Sequence, residues 1–200
     1  NTPEGLNAAK LISSIYSEGL ANPALDYPGA EQAFLNGEAG ILINGTWGVD
    51  NYNSQALSGK VALKNYRVAN VPQLFGKPAV WADSHMWVMP KNDERSAEKT
   101  QAALAFIKFL YDNNFQWSRT GHLSVRQSVL DSDEFKALPH RAEFADTAKH
   151  ATALPQIQNE RAIYNAMVTD LNAMWLTGAD PQAALEGMQA GVERILRRNR

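Results

Sequence analysis

A polar turn after a short apolar run holds the residues of this chain that are best suited to bind a small molecule. Ala39 to Ile43 is predicted to be a buried strand, and the turn Asn44-Gly-Thr-Trp47 follows it directly. Ligands of α/β proteins bind at the carboxyl edge of the sheet, where such a turn emerges. Gly45 and Thr46 offer backbone N–H groups, and Trp47 offers a flat amphipathic ring. The turn therefore predicts a site for a polyhydroxylated ligand, with the indole under a sugar ring. The alternative is a core role for Trp47, since tryptophans are often mostly buried.

A second candidate segment is Ala79 to Met89, which alternates and is bounded by prolines, as expected of a strand. One face of this strand would carry two tryptophans, an acid and a histidine, namely Trp81, Asp83, His85 and Trp87. The other face would carry Ser84 among apolar side chains. A buried acid needs a partner, and a sugar hydroxyl would serve Asp83 as well as a protein donor. Core packing for Trp87 and a structural hydrogen bond for His85 are the simpler interpretations.

Two residues further along the chain each have two interpretations. Arg126 lies between Val125 and Gln127 and could pair with an acid or hydrogen-bond a ligand. Tyr164 lies on a predicted helix and could pack in a core or close a pocket. The residues alone leave both alternatives open.

The motifs of common catalytic and metal sites are absent from the sequence. The four histidines show no metal-ligand spacing, and neither a Gly-x-Ser-x-Gly elbow nor a phosphate-binding glycine loop occurs. Cysteine is absent, which excludes disulfides, thiolate metal sites and a cysteine nucleophile. We predict no catalytic residue, no metal site and no cofactor.

Composition narrows the class of protein further. Of the 200 residues, 44% are hydrophobic and 20% are charged, which is typical of a globular protein. The net charge of −2 argues against nucleic acid as a partner, because phosphate binding needs a surplus of Lys and Arg. The arginines near the C-terminus, Arg194, Arg197, Arg198 and Arg200, are expected to complement a helix dipole. Because the chain begins at Asn1, we expect it to be processed or a fragment of a longer protein.

Periodicity predicts a helix-rich α/β chain with a sparse sheet. Strands are expected at Ala39–Ile43, Tyr66–Val71 and Ala79–Met89. Helices are expected after Thr2, over Gly29–Asn36, Trp47–Leu57, Ser96–Tyr111, Phe115–Thr120, Asp133–Leu138, Arg141–His150 and Gln158–Leu176, and after Asp180. Three strands are few for an α/β domain of this length, so we expect strands to be missing from the N-terminal side.

Several segments, taken in order, resemble the family 1 extracellular solute-binding proteins of ABC importers, the maltose-binding-protein-like group. The matching segments are Ala33-Phe-Leu-Asn-Gly-Glu-Ala-Gly-Ile-Leu-Ile-Asn-Gly-Thr-Trp47, Val71-Pro-Gln73, Ala82-Asp-Ser-His-Met-Trp-Val-Met-Pro90, Ala102-Ala-Leu-Ala-Phe-Ile-Lys-Phe-Leu110, Gly121-His-Leu-Ser-Val-Arg126, Leu154-Pro155 and Ala179-Asp-Pro-Gln-Ala-Ala-Leu185. Their order and spacing across nearly the whole chain make the match specific.

The resemblance implies a periplasmic-binding-protein-like type II fold of which this chain is only the C-terminal half, an incomplete two-lobe fold. By analogy, residues 1–83 and 125–200 belong to the C-terminal lobe. Residues 84–124 would cross the hinge and form part of the N-terminal lobe.

Site residues follow from the resemblance position by position. Trp47, with Gly45 and Thr46, matches the family turn whose tryptophan stacks on sugar, and Tyr164 falls near another stacking aromatic. The hinge strand, which touches ligand in many relatives, carries Trp81, Asp83, Ser84 and His85. Arg126 follows Leu-Ser-Val where many relatives have Leu-Pro-Val, so the local turn can differ.

The function implied is capture of a mono- or oligosaccharide by lobe closure and delivery to the membrane subunits of an ABC permease, without catalysis. Such a protein is a monomer, either periplasmic or extracellular and anchored as a lipoprotein. A polyol or phosphodiester ligand remains compatible with the sequence. The alternatives are a glycoside hydrolase that uses Asp83 with Glu160 or another acid, and a helical interaction module.

Overall fold

The computed structural model describes residues 1–198. Within them, ten α-helices and two short strands follow one another. In chain order these are α1 Pro3–Ser17, α2 Tyr27–Leu35, α3 Val49–Ser58, β1 Val80–Trp81, α4 Ala97–Asp112, α5 Asn114–Ser118, α6 Gln127–Leu130, α7 Asp133–Lys136, α8 Arg141–Phe144, β2 Ala151–Thr152, α9 Glu160–Thr177 and α10 Pro181–Arg197. Short 3₁₀ turns at Thr46–Gly48 and Ala145–His150 precede α3 and follow α8.

The chain divides into two compact units. The terminal unit consists of Asn1–Ala30 and the described part of Leu154–Arg200, and the central unit consists of Glu31–Ala153. The predicted lobes, residues 1–83 with 125–200 and residues 84–124, concern a complete two-lobed protein and stay a prediction.

The terminal unit is a helical bundle in which two helices, α1 and α10, begin where the sequence predicts. The Thr2 hydroxyl accepts a hydrogen bond from the Gly5 N–H at 3.1 Å, and α1 begins at the following proline. The Asp180 carboxylate accepts a hydrogen bond from the Ala183 N–H at 2.9 Å, and α10 begins in the same way. Both side chains satisfy N–H groups that a helix start leaves without an internal partner.

The core of the terminal unit lies among α1, α9 and α10. Its buried side chains are Ala9, Met174, Ala184, Leu185 and Met188. The apolar spacing of α10 predicts Leu185, Met188 and Leu196 in a core; Leu185 and Met188 are buried, whereas Leu196 is exposed. Arg194 and Arg197 lie in the last turn of α10, where cations complement the dipole, and Arg200 lies outside the described residues.

The core of the central unit forms around the end of α2 and the face of α3. Leu35, Tyr52 and Leu63 are buried together, and Phe34 and Tyr66 pack against them. The Leu63 N–H donates to the Leu35 carbonyl at 2.9 Å, which fixes the segment after α3 on this core. This core positions the turn that contains Trp47, because that turn leads directly into α3.

The predicted buried strand Ala39–Ile43 is wrong. This segment has no strand hydrogen bonding, and the side chains of Ile41 and Ile43 are 85% and 78% exposed. A strand needs neighbouring strands to pair with and a covered face to bury its apolar residues. Within the described residues, the only strand pairing is that of β1 with β2, so no neighbouring strand pairs with Ala39–Ile43.

The other two predicted strands are also absent over most of their length. Tyr66–Val71 has no strand pairing. Only Val80 and Trp81 of Ala79–Met89 form a strand, which pairs in parallel with Ala151 and Thr152. The expected alternation between a buried and an exposed face is not seen, because the segment beyond Ala82 is exposed on both faces.

The predicted helices are present, with boundaries that differ by a few residues or with breaks. Helix α4 starts at the Ser96 cap as expected, and the Ser96 hydroxyl accepts from the Lys99 N–H at 3.2 Å. However, no residue of α4 is buried, although Leu104, Ile107 and Leu110 are spaced along one side of the helix. Among the described residues, no helix is both long and apolar enough to cross a membrane.

Candidate functional site

Trp47 lies in the 3₁₀ turn Thr46–Gly48 at the start of α3, with about half (52%) of its surface exposed. Its ring is folded over Gly45. A Cβ atom at Gly45 would lie 2.0 Å from Cζ3 of the indole, so no larger residue at position 45 leaves the ring where it is. The glycine that precedes Trp47 therefore sets the orientation of its ring.

A partly buried hydrogen-bond network holds the turn on the protein. The Asn44 amide donates to Glu31 Oε1 at 3.1 Å and to the Tyr52 hydroxyl at 2.5 Å, and this hydroxyl donates to Glu31 Oε1. The Gly45 N–H donates to Asn44 Oδ1 at 2.7 Å. Because Tyr52 is buried, these bonds fix the backbone just before Trp47 to the core.

Four rings come together beside this turn. We call the set of Trp47, His85, Trp117 and His122 the aromatic cluster. The ring centroid of His122 lies 6.4 Å from that of Trp47, 4.6 Å from that of Trp117 and 5.5 Å from that of His85. His85 also lies edge-on to Trp117 at 6.0 Å. Trp117 is 38% exposed, so the cluster combines partly exposed indole surface with imidazole hydrogen-bonding groups.

Gly121 allows the segment that carries His122 to approach the Trp47 turn. Its φ is +92°, and a Cβ atom there would lie 2.4 Å from the Thr46 carbonyl oxygen and 2.9 Å from the Trp47 Cα. Neither neighbour is a flexible side-chain end that could move away. Glycine is required here both for its backbone conformation and for the close approach.

Arg141 joins α3, which follows the Trp47 turn, to the end of α5, which carries Trp117. Its fully buried guanidinium donates to Asp50 Oδ2 on α3 at 2.6 Å. It also donates twice to the Ser118 carbonyl at the end of α5, at 2.9 and 3.3 Å, and once to the Pro139 carbonyl at 3.0 Å. A buried guanidinium with several acceptors fixes those acceptors relative to one another.

His122 is partly buried and its pKa is lowered. Burial is the main cause, since it penalises the charged imidazolium, and the neighbouring His85 lowers the pKa of His122 further. A hydrogen bond with the Thr120 backbone opposes these two effects. The imidazole of His122 is therefore held in its neutral form at neutral pH.

Of the predicted hinge residues, the structure brings only His85 into the cluster. Trp81 lies on β1, and its side chain and that of Asp83 are exposed. The Asp83 carboxylate accepts from the Ser84 N–H at 2.8 Å, and the Ser84 hydroxyl donates to the His85 carbonyl at 3.3 Å. These local bonds shape the segment, and ligand contact by Trp81, Asp83 and Ser84 stays a prediction.

Arg126 and Tyr164 lie outside the aromatic cluster. The Arg126 guanidinium donates to the carbonyls of Tyr111 and Asp112, both at 3.3 Å, and lies over the Tyr111 ring at 4.8 Å. It thus caps the end of α4, where a cation is favourable. Tyr164 lies in the terminal unit, with the Arg161 guanidinium 5.2 Å from its ring centroid. Ligand binding by either residue stays a prediction.

Sequence reasoning missed Trp117 and His122 as site candidates. Trp117 lies in the predicted helix Phe115–Thr120, and His122 follows this helix in the matching segment that begins at Gly121. A glycine followed by a histidine at a helix end is common, so this signal alone could not select them. They become site candidates only because Gly121 approaches Trp47, and this tertiary contact is not visible in the sequence.

A concavity in the terminal unit is a weaker candidate. It has a volume of about 440 Å³, and three aromatic rings, Tyr16, Tyr27 and Trp175, contribute to its lining. Its polar groups already serve the protein, since Asp26 Oδ1 accepts from the Gly29 N–H and Asn172 Oδ1 accepts from the Trp175 indole N–H. Throughout the described chain, no three His, Cys, Asp or Glu side chains are grouped to hold a metal ion.

Comparison with known proteins identifies the fold. The maltose-maltodextrin binding protein of the thermoacidophilic bacterium Alicyclobacillus acidocaldarius superposes with a TM-score of 0.72 at 19% sequence identity. The alignment covers 96% of this chain and 51% of that chain, so this chain spans about half the length of that protein. The expected type II periplasmic-binding-protein fold, helix-rich and about half complete, is confirmed.

The sequence of the chain also matches a protein family directly. The family described as bacterial extracellular solute-binding protein matches residues 3–143, well over half of the chain. This stretch includes all four rings of the aromatic cluster, the turn that carries Trp47 and the buried Arg141. The resemblance derived from the sequence segments is confirmed, and the chain belongs to the family of bacterial extracellular solute-binding proteins.

Proposed function

We propose that this chain is part of the substrate-binding component of an ABC importer, which captures a mono- or oligosaccharide and delivers it to the permease. The observation that carries the proposal is the aromatic cluster, in which the His122 ring lies beside both the half-exposed Trp47 and Trp117. Indole faces bind the C–H faces of a sugar ring, and nearby imidazole and backbone groups bind its hydroxyls. Membership of the solute-binding family supports binding as the activity.

The exposed apolar surface of the central unit supports the proposal that this chain contains only part of a lobe. In helix α4, Leu104, Phe106 and Phe109 are exposed, and Trp87, also exposed, lies edge-on to Phe106 at 6.1 Å. A helix normally buries its apolar face against another layer. We assign residues 84–124 to the hinge crossing and to a lobe whose other strands and helices come from the remaining half of such a protein. Residues 1–83 and 125–200 would then form the other lobe.

Lobe closure would couple sugar binding to transport. A ligand shifts a conformational equilibrium only when it binds the two states with different affinities. A sugar that stacks on Trp47 and also touches the opposite lobe makes its full set of contacts only in the closed form. The permease could then recognise the closed, loaded protein, which acts as a monomer in the periplasm or as a lipid-anchored protein outside the cell.

The proposed function is tested by titrating the intact protein with a panel of neutral mono- and oligosaccharides, polyols and phosphodiesters in thermal-shift and calorimetric assays. A ligand that binds only the native state raises the unfolding midpoint. For the sugar that binds, Trp47→Ala should weaken affinity roughly tenfold or more. Loss of about 1.4 kcal/mol of binding free energy raises the dissociation constant tenfold, and the lost stacking is of this order. Trp47→Phe should retain part of the affinity, because a smaller ring can still stack.

The controls distinguish loss of stacking from loss of fold. Leu57→Ala removes an exposed apolar side chain of α3 outside the cluster and should leave sugar affinity unchanged. Unchanged affinity in Trp47→Ala would remove Trp47 from the site. Binding by no sugar of the panel would contradict the proposed function, and turnover of a chromogenic glycoside that Asp83→Asn abolishes would favour a glycoside hydrolase instead.

A further inference from the structure

The hydrogen bonds of Thr120 determine which nitrogen of His122 carries the proton. The Thr120 hydroxyl lies 2.6 Å from the Trp117 carbonyl oxygen and 2.9 Å from His122 Nδ1. A hydroxyl has a single proton, and a carbonyl oxygen can only accept. The Thr120 hydroxyl therefore donates to the Trp117 carbonyl, and its oxygen must accept the second hydrogen bond from His122 Nδ1–H.

The protonation of Nδ1 determines what the other ring nitrogen of His122 can do. With Nδ1 protonated and the ring neutral, the Nε2 atom carries a lone pair and can only accept. Among the described residues, no hydrogen bond to Nε2 of His122 is found, and the ring contacts both Trp47 and Trp117.

We propose that His122 is a specificity-determining residue, whose Nε2 accepts a hydrogen bond from a hydroxyl of a sugar that stacks on the aromatic cluster. This inference rests on the proposed function and narrows its ligand class. A lone pair at Nε2 selects a ligand that donates there, as a neutral sugar hydroxyl does. A carboxylate or phosphate oxygen has no proton to donate at neutral pH, so a uronic acid or phosphodiester oxygen at this position would face the lone pair.

Nitrogen-15 NMR of histidine-labelled intact protein tests the tautomer without any ligand. At about pH 7.5, above the ordinary histidine pKa, His122 should show the pattern of a neutral ring protonated at Nδ1. Thr120→Val removes the hydroxyl acceptor but keeps the side-chain shape, and should increase the population of the Nε2–H form. A dominant Nε2–H form or an imidazolium in the wild-type protein would overturn the inference.

Binding of neutral and acidic probes tests the specificity. D-glucose, D-galactose and maltose are compared with D-glucuronate and D-galacturonate, and the neutral sugar that binds most tightly should shift the Nε2 resonance. His122→Phe, which keeps a ring but has no acceptor, should weaken that sugar about tenfold. His122→Gln, whose amide oxygen can accept, should retain more of the affinity, and thermal unfolding verifies that both variants fold.

The outcomes separate this inference from the proposed function. If no neutral sugar binds, the proposed function fails. If a neutral sugar binds and His122→Phe leaves its affinity unchanged, or if the uronates bind more tightly, only the assignment of His122 is overturned.

Discussion

Arg141 Nη2 lies 2.6 Å from Asp50 Oδ2, and the same guanidinium nitrogen lies 2.9 Å from the Ser118 carbonyl oxygen. Asp50 is on α3, directly after the Trp47 turn, and Ser118 is the residue after Trp117. One buried cation thus sets the spacing between the two backbone segments that carry the tryptophans of the aromatic cluster. A sugar site made of separate segments needs such a fixed connection, because misplaced rings lose stacking contact.

Removing this cation is expected to destabilise the central unit strongly. Arg141→Met keeps much of the side-chain volume but removes the guanidinium that donates to the Asp50 carboxylate and to the Ser118 and Pro139 carbonyls. Breaking a buried, hydrogen-bonded ion pair costs about 3 kcal/mol, toward the lower end of the usual range because Asp50 is partly exposed. Urea unfolding followed by circular dichroism measures the change in the free energy of unfolding.

The chain offers a matched control for this substitution. Arg197 also pairs with an acid, Glu193 at 2.9 Å, but on the exposed surface of α10. Arg197→Met should change the free energy of unfolding by less than about 0.5 kcal/mol. Equal effects of the two substitutions would mean that the Arg141 bonds contribute no more than a surface ion pair.

Gly121→Ala should separate the His122 segment from the Trp47 turn. The new Cβ would lie 2.4 Å from the Thr46 carbonyl oxygen, and the backbone would be strained at a φ of +92°. Strain and steric overlap together should lower the free energy of unfolding by at least about 2 kcal/mol. Gly19→Ala is the control, because Gly19 also has a positive φ (+73°) but open space around its Cβ. Only the backbone strain is expected there, which should lower the free energy of unfolding by about 1 kcal/mol. Similar losses in both variants would contradict close packing at Gly121.

Local signals were enough to predict the helices but not the sheet. Caps such as Thr2, Ser96 and Asp180 act within one turn of chain, so their sequence pattern identifies where a helix begins. A strand depends on partners elsewhere. Ile41 and Ile43 are apolar as in a buried strand, yet the described residues supply no pairing strand and no covering layer for them.

The candidate site was also predictable only where it depends on local sequence. Trp47 and its turn form a local unit, and the pattern of glycine, polar residues and tryptophan indicates a ligand contact without tertiary information. Trp117 and His122 reach Trp47 only because Gly121 and Arg141 bring distant segments together. Contacts across such sequence distances are not encoded in any local pattern.

Asn44 is expected to act as a positioning residue for Trp47. Asn44→Ala removes the bonds to Glu31 and the Tyr52 hydroxyl and should lower the free energy of unfolding by about 1–2 kcal/mol. Sugar affinity should fall as well, because the turn before the indole loses its anchor. Asn36→Ala removes two exposed hydrogen bonds, with Gln32 and Glu38, and should change neither quantity measurably. If Asn44→Ala loses stability but keeps full sugar affinity, the network supports the fold and not the orientation of Trp47.

Tyr66 should make the central unit sensitive to alkaline pH. Burial, aided by the negative charge of Asp50, raises the pKa of Tyr66 to about 12 from its ordinary value of 10.0. Because the folded state holds this proton more tightly than the unfolded state, its contribution to stability is complete below pH 10 and is lost as pH rises toward 12. The hydroxyl donates to the Val49 carbonyl at 2.8 Å, so ionisation also removes that bond.

Tyr66→Phe tests this alkaline sensitivity. At neutral pH the variant should be less stable by about 1 kcal/mol, because the Val49 carbonyl loses its donor. Between pH 10 and 12 its free energy of unfolding should fall less steeply than that of the unmodified chain, which loses the Tyr66 proton in this range. Urea unfolding at several pH values, together with the ultraviolet absorbance of the phenolate, measures both effects. Parallel pH profiles for the two chains would show that Tyr66 titrates alike in the folded and unfolded states.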